Sequence, residues 1–235
     1  MPTLSSPLLL SGPQALRAEL ERNVRARRAA QQRDLRLLAQ TTLIVVPSHH
    51  LAHQVQALLC GLGTTGMRVA TAAQAARDVL QRAGLPQRGG AGWMEAMLRA
   101  EVRAQGLEQA LISSEGSWGL LLATTGDLLD AGLTHDCLEA AWEALPTTEV
   151  RARQLVQLAA ALDARLEAAG LGRPHHIYAQ AAEALRQRDI VWGFHDVWIV
   201  GFADATGMLT LFLEALQRSS NCTVYWDATQ AGVQA

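Results

Sequence analysis

The sequence predicts an α/β protein in which helices sandwich a parallel sheet and an all-helical subdomain is inserted. Three observations lead to this class. Three strand–turn–helix units follow one another within about the first 85 residues, about 100 residues without a convincing strand come next, and strand patterns return near the end. Repeated strand–helix units are typical of a parallel sheet, and helices between two parts of one sheet are typical of an insertion.

The first part of the chain contains the three units. Short apolar runs predict buried strands, and apolar residues at a spacing of three to four predict the helix after each strand. In order, the units are strand Leu8–Leu10 with helix Ala15–Ala39, strand Thr42–Val46 with helix Leu51–Leu62, and strand Met67–Thr71 with helix Ala72–Ala83.

The middle of the chain is predicted to be helical. Gly and Pro residues separate amphipathic segments at roughly 92–105, 117–131, 135–145, 148–169 and 175–188. Strand character returns at Ile190-Val191-Trp192, Val197–Val200 and Cys222–Asp227. We therefore expect a discontinuous α/β lobe, residues 1–84 and 189–235, with an inserted helical subdomain over 85–188.

The basic residues limit the chemistry. The chain has no lysine, so all 20 of its basic residues are arginines. A P-loop uses a lysine to reach the β- and γ-phosphates, and Schiff-base chemistry uses one as its amine, so both are excluded. The turn Ser11–Leu16 also lacks the further glycines of a phosphate loop. We expect no cofactor, and the formal net charge of −2 gives no overall attraction to nucleic acid.

The cysteines and the apolar runs bear on the compartment. Cys60, Cys137 and Cys222 are widely spaced, which predicts reduced and mostly buried thiols without a disulfide framework or a zinc spacing. The run Leu8–Leu10 is too short for a signal peptide, and no apolar stretch could cross a bilayer. These features predict a cytoplasmic protein.

The first long helix is rich in arginine, with seven between Arg17 and Arg36. Such a bias could bind phosphate backbones or an acidic partner, but an ordinary solvated face is the favoured interpretation. On the first interpretation we take Arg25, Arg28 and Arg36 as candidate nucleic-acid contacts, and we expect the arginine-rich surface to lie beside the turns at the strand ends.

Histidines and tryptophans also have two interpretations each. His49, His50 and His53 cluster after the second strand without a carboxylate or cysteine at ligand spacing, so we favour surface or capping histidines and expect no metal site. The six tryptophans could stack on unpaired bases, but their scattered positions in apolar segments favour packing.

The order of these elements resembles the N-terminal region of the B subunit of AddAB-type helicase–nucleases, in the PD-(D/E)XK nuclease family. The segments that carry the resemblance are LIVVPSHHLAHQVQALL (Leu43–Leu59), MRVATAAQAARDVL (Met67–Leu80) and DVWIVGFADATGMLTLFLEAL (Asp196–Leu216). The resemblance covers nearly the whole chain. It implies a UvrD-like, P-loop NTPase-like helicase lobe interrupted by a helical lobe, with any nuclease domain beyond residue 235 of a longer protein.

The resemblance also implies site residues. The family's strand, Gly-Phe and acidic turn is matched by Val200, Gly201, Phe202 and Asp204. In related helicases the turn matched by Pro47-Ser48, and the threonine matched by Thr71, lie near single-stranded DNA. The resemblance therefore implies Ser48, His49 and Thr71 as DNA contacts, with backbone amides at the helix start holding phosphate.

Departures from the family pattern shape the functional prediction. The phosphate loop is missing, and the apolar Val200 stands near the position of the magnesium carboxylate, so we expect no ATP hydrolysis and no enzyme activity in this chain. The favoured hypothesis is a non-catalytic helicase-like module that guides DNA, most simply single-stranded DNA, or binds a motor subunit. The alternatives are a purely structural interaction domain and a small-molecule α/β enzyme in which Asp196, Asp204 and the histidines meet at the carboxyl edge of the sheet.

Overall fold

A computed structural model describes residues 8–10, 12–86, 89, 91–112, 114, 116–187, 193–203, 205 and 207–227. The predicted strand Ile190-Val191-Trp192 and the turn residues Ser11, Asp204 and Thr206 lie outside the described residues. No helix among those described is long and apolar enough to cross a lipid bilayer.

The α/β class is confirmed, with a parallel sheet flanked by helices. Its strands are β1 (Leu8–Leu10), β2 (Thr42–Val46), β3 (Met67–Thr71), β4 (Asp196–Val200) and β5 (Asn221–Asp227). The helices are α1 (Pro13–Arg33), α2 (His49–Gly61), α3 (Ala72–Arg82), α4 (Met94–Ala104), α5 (Glu108–Leu111), α6 (Ser117–Asp130), α7 (Leu138–Ala144), α8 (Val150–Ala168), α9 (Pro174–Gln187) and α10 (Gly207–Ser219).

The chain forms two compact units. The sheet unit comprises Met1–Pro86, Tyr178–Ala205 and Leu209–Ala235, and the helical unit comprises Gln87–Ile177 with Thr206–Met208. Leucines and other apolar residues of α4, α5, α6 and α8 form the core of the helical unit. That core contains Leu158, Leu162 and Leu166, which recur at helical spacing along α8 and are buried.

The five strands of the sheet unit are all parallel, in the order β1-β5-β4-β2-β3. With right-handed crossovers, the direction in which the chain moves across the sheet decides which face the connecting helix covers. From β1 to β3 the chain moves in one direction, and from β3 to β5 it moves back, so α1 and α2 cover one face and α10 covers the other. Accordingly, Leu20 of α1 and Val55 of α2 pack in one cluster with Ile44 and Trp198. On the opposite face, Leu213 of α10 lines a small cavity with strand residues of β4 and β5.

The first long helix ends earlier than predicted. The pattern predicted a helix to Ala39, but α1 ends at Arg33 and Leu35–Ala39 forms a separate 3₁₀ helix. Asp34 is the cause, because its backbone is extended (φ −136°) and its carboxylate accepts a hydrogen bond from the Arg36 N–H at 2.9 Å. The break changes the direction of the chain before β2.

Two side-chain predictions need correction. The cysteines were predicted to be mostly buried, yet Cys60 is exposed and Cys137 is half-buried, leaving Cys222 as the buried thiol. Among the tryptophans, Trp198 packs in the sheet core, whereas Trp93 is 64% exposed. Trp118 packs against the core of the helical unit and also lies under Arg99, and Trp142 lies under Arg153, so both form cation–π pairs.

An ion pair joins α1 to the amino edge of the sheet. Arg27 contacts the Asp196 carboxylate at 2.5 Å and donates to the Gln40 carbonyl at 2.6 Å, and both charged side chains are less than one-fifth exposed. Asn221 donates to the same carboxylate at 2.6 Å, and His195 lies 3.0 Å from it. Burial raises the pKa of Asp196, but the hydrogen bonds from Arg27, Asn221 and His195 outweigh it and hold the pKa below its usual value.

This carboxylate predicts a pH dependence of stability. Because the folded pKa of Asp196 lies below the unfolded value of about 3.9, its contribution is fully present above that unfolded value and disappears as pH falls through the folded pKa. We expect the difference in unfolding free energy between the wild type and Asp196→Asn to shrink steadily below about pH 4. Urea unfolding of both proteins from pH 7 to pH 3 measures it, and a difference that stays constant over this range would contradict the assignment.

Candidate nucleic-acid interface

The carboxyl edge of the sheet is where a ligand would be expected. β2 and β4 are neighbours, yet α2 and α10, which follow them, cover opposite faces. In open parallel sheets, ligands bind in the crevice at such a switch point. Pro47 and Ser48 follow β2 on one side of it, and Gly201 and Phe202 follow β4 on the other.

Ser48 and His49 lie at this edge and are exposed. Ser48 is the N-cap of α2, and its hydroxyl accepts a hydrogen bond from the Leu51 N–H at 3.3 Å. His49 begins the helix. The N-terminal turn of a helix presents free backbone N–H groups with a partial positive charge, which suits a phosphate. The geometry is therefore compatible with the predicted DNA contact, which stays a prediction.

Thr71 occupies the equivalent position after β3, but it is only 5% exposed. Its hydroxyl accepts from the Gln74 N–H at 3.3 Å, and the Gln74 side chain accepts from the Thr71 N–H at 2.9 Å. This reciprocal arrangement is a capping box that fixes the start of α3. The role of Thr71 that the geometry supports directly is therefore to position the turn; whether it touches DNA is untested.

Apolar groups lie at the positions where the resemblance would put a nucleotide's phosphates and magnesium. Pro13 is the first residue of α1 and Gly12 its N-cap, so little chain is left between β1 and the helix for a phosphate loop. Val200 ends β4 and is 1% exposed. Gly201 has a positive φ of 76°, and a Cβ there would overlap the Leu51 side chain. Leu51 therefore fills the crevice beside the end of β4.

Two of the three predicted arginines, Arg25 and Arg28, do not lie at this edge. α1 begins at the carboxyl edge and runs away from it, so Arg25 is about 18 Å along the helix from Pro13 at 1.5 Å per residue. Arg28 donates to the carbonyl of Leu62, just after the end of α2. The expectation that the arginine-rich surface adjoins the strand-end turns is thus wrong for Arg25 and Arg28, because the helix carries them towards the opposite edge.

The arginines differ in how free their guanidinium groups are. Arg25 lies 3.4 Å from Glu21, which also pairs with Arg17 at 3.2 Å, and Arg22 pairs with Glu19. These exposed pairs are typical of a solvated helix face. Among the described residues, Arg33 and Arg36 have no ion pair and no hydrogen bond from their guanidinium groups, and both are exposed. Arg36 is therefore the predicted contact that remains available to a phosphate, and sequence reasoning passed over Arg33.

No protein-family model matches the chain, and no curated protein sequence matches it. The assignment of a function therefore depends on the residues and the geometry described above, together with the resemblance given by the sequence.

The histidines after β2 do not form a ligand set. The structure gives His50 a contact of 2.9 Å with the Gln54 side chain, one helical turn away, and His49 is exposed. Among the described residues, one group of three potential metal ligands does occur, Asp163, His175 and His176 in the helical unit. Sequence reasoning missed it, although the doublet His175-His176 at a helix start was a visible signal.

The carboxylate proposed for an enzyme site lies elsewhere. Asp196 is the first residue of β4, so it sits at the amino edge of the sheet, where it pairs with Arg27. The exposed histidines lie in the first turns of α2, and this helix begins at the carboxyl edge. The expectation that Asp196 and these histidines meet at the carboxyl edge is therefore wrong, because a five-residue strand separates them.

A groove runs between α1 and α2 on the sheet unit. Its volume is about 700 Å³, with an apolar floor that includes Leu16, Leu20 and Val55. Arg17 and Arg25 also line it. The groove starts beside Val200 at the carboxyl edge and extends to Leu62, so it covers much of the length of the two helices.

Proposed function

We propose that this chain is a non-catalytic, helicase-like module of a DNA repair or recombination helicase–nuclease. The sheet unit corresponds to a P-loop NTPase-like lobe that has lost its phosphate-binding parts, and the helical unit corresponds to an inserted subdomain. The module serves to guide single-stranded DNA or to bind a motor subunit. The resemblance of the three sequence segments supports this family. The geometry of the carboxyl edge argues against ATP hydrolysis.

The observation that carries the proposal is the carboxyl edge itself. Its strand–turn–helix units keep the arrangement in which related lobes hold nucleotide and DNA, but Pro13 starts α1 directly after Gly12 and Val200 ends β4. A motor needs a lysine and a magnesium carboxylate at those places. A lobe that keeps the scaffold without them is suited to holding a strand or a partner.

DNA guidance depends on two separate contact points. The exposed turn of Ser48 and His49 offers backbone N–H groups at the start of α2. Arg33, the last residue of α1, and Arg36, just beyond it, offer two guanidinium groups without an ion pair among the described residues. Phosphate contacts of this kind are independent of base sequence and release counterions, so binding is expected to weaken as salt rises.

The test is a salt titration of single-stranded DNA binding, followed by fluorescence anisotropy. For the double variant Arg33→Ala/Arg36→Ala, we expect weaker binding and a slope of log K against log salt that is shallower by about 1.4, because about 0.7 counterions are released per phosphate on single strands. Arg186→Ala/Arg218→Ala is the matched control, since it removes the same charge from residues already paired with Glu183 and Glu214. We expect its slope to equal the wild-type slope.

Two further arms of the titration address the remaining alternatives. Added ATP should change nothing, and an ATP effect would contradict the loss of the phosphate site. His49→Ala tests the carboxyl edge separately, because its side chain is exposed and it is not the N-cap. If the matched control and Arg33→Ala/Arg36→Ala lose the same affinity, the loss comes from the change in net charge and not from contacts of Arg33 and Arg36 with DNA.

The second candidate is a structural interaction domain, and the groove between α1 and α2 favours it. Apolar floors with charged rims are common where another protein packs. Absence of DNA binding even at low salt would leave this candidate in place of DNA guidance.

A further inference from the structure

We propose that the helical unit binds one divalent transition-metal ion, with Zn²⁺ the best match, between Asp163 of α8 and the adjacent His175 and His176 of α9. This site is separate from the carboxyl edge and independent of the proposed DNA function. It arises because α9 begins with two consecutive histidines that face one carboxylate of α8.

The distances are close to those of a ligand set. The Nε2 atoms of His175 and His176 lie 3.1 Å and 2.9 Å from the same oxygen, Oδ1 of Asp163, and one ligand atom from each residue lies within 4.8 Å of the others. Two atoms bound tetrahedrally to one zinc ion at about 2.1 Å are about 3.4 Å apart. The two nitrogen–oxygen distances would therefore reach this value with side-chain shifts of a few tenths of an ångström.

The three side chains of the cluster are polar and yet almost completely buried. The side chains of His175, Asp163 and His176 are only 2%, 6% and 12% exposed. Within the described part of the chain, the buried Nδ1 of His175 and Nε2 of His176 make no well-aligned hydrogen bond, although each lies near a carboxylate oxygen, Asp130 Oδ1 at 3.5 Å and Asp163 Oδ1 at 2.9 Å. Buried polar atoms are usually fully satisfied, and a bound ion is one way to satisfy them. A metal ion would use the His176 nitrogen directly.

Asp130 completes the arrangement from the other side of His175. Its Oδ1 lies 3.5 Å from His175 Nδ1, and Arg173 holds the other carboxylate oxygen at 3.4 Å. A carboxylate at the second ring nitrogen of a liganding histidine keeps the proton on that nitrogen and leaves Nε2 free to bind metal. Asp130 is therefore a positioning residue for His175.

His176 must change its proton position when metal binds. Its Nδ1 accepts a hydrogen bond from the Arg173 N–H at 3.2 Å, so in the metal-free protein the proton of the neutral ring is on Nε2. Binding requires Nε2 to be free, so that proton leaves and the ring takes one up on Nδ1, giving up the bond from Arg173. The ¹⁵N chemical shifts of His176 therefore report loading directly.

The donor set selects the class of metal. Two imidazole nitrogens and one carboxylate oxygen suit zinc and its first-row neighbours, whereas Ca²⁺ and Mg²⁺ prefer sets made only of oxygen. Three protein ligands leave one position for water. A buried hydrogen-bonded cluster without metal is the competing interpretation, and it predicts no stoichiometric metal binding.

The experiment uses the full untagged chain, stripped with a chelator and titrated with Zn²⁺ and with Co²⁺ by calorimetry and visible absorption. We expect one ion per chain, cobalt bands of a low-coordinate site and a higher Tm with zinc. His176→Ala should weaken affinity at least tenfold, and Asp130→Asn about tenfold. The control His49→Ala/His53→Ala removes two histidines of α2 and should bind as the wild type does.

Three outcomes would overturn the site. They are no bound ion at micromolar zinc, unchanged affinity in His176→Ala, and loss of binding in the His49→Ala/His53→Ala control. His176 is the least buried of the three ligands, so its alanine variant is the one expected to fold. Should that variant unfold, the wild-type ¹⁵N spectrum still decides, because zinc must move the His175 and His176 ring signals and leave that of His49 unchanged.

Discussion

Replacing Arg27 with Met should lower the stability of the sheet unit by about 2–4 kcal/mol, the largest effect we expect from an arginine of α1. Arg27 supplies the cation for the Asp196 carboxylate and a hydrogen bond to Gln40, and its side chain is 16% exposed. Methionine keeps most of the stem volume but leaves Asp196 charged, buried and supported only by Asn221 and His195. Urea unfolding at pH 7 measures the loss.

Two variants separate the buried charge from a general loss of arginine. Arg25→Met removes an exposed arginine whose partner is Glu21, and it should cost less than about 1 kcal/mol. The double variant Arg27→Met/Asp196→Asn removes the uncompensated charge, so it should be more stable than Arg27→Met alone. Equal losses in Arg25→Met and Arg27→Met would show that the ion pair at the amino edge contributes nothing special.

Gly201→Ala should destabilise the sheet unit by about 2–3 kcal/mol, for two reasons that can be separated. Gly201 has a φ of 76°, which strains a residue with a Cβ, and that Cβ would overlap the end of the Leu51 side chain. Gly61→Ala is the matched control, because Gly61 is the last residue of α2, has no atom within 4 Å of its would-be Cβ and no positive φ. It should be neutral or stabilise by up to about 1 kcal/mol.

A double-mutant cycle with Leu51 distinguishes strain from overlap. In the Leu51→Ala background the overlap is gone, so Gly201→Ala should cost only the strain, about 1–2 kcal/mol. An unchanged cost in this background would mean that Leu51 moves aside freely and does not fill the crevice. That result would also weaken the argument that the carboxyl edge is closed to a nucleotide.

The filled crevice and the buried Asp196 pair point to the same functional interpretation. Val200 and Leu51 pack together as apolar groups at the carboxyl edge, while the Arg27–Asp196 ion pair stabilises the opposite edge of the sheet. What remains accessible is an exposed helix start at Ser48 and two free arginines. Those features suit binding, in agreement with the proposed non-catalytic module.

The sequence by itself determined the strands, the helical middle and the absence of lysine chemistry. Continuous apolar runs such as Thr42–Val46 can only be stable when buried on both faces, and the structure buries all five residues. The lack of lysine is a fact of composition that no folding can change. The N-cap role of Ser48 was not predicted, although it is a local feature in which the residue before a helix caps it through its own side chain.

Tertiary structure alone decided which residues meet. Arg27 and Asp196 are 169 positions apart, and only the parallel pairing of β2 with β4 brings the start of β4 under α1. The separation of Arg25 and Arg28 from Ser48 follows from the direction of α1, which periodicity does not reveal. Asp163, His175 and His176 meet because the turn after α8 brings the start of α9 beside Asp163, so their spacing in sequence follows no metal motif. Contacts between distant segments depend on how those segments pack, so the residue pattern within one segment cannot predict them.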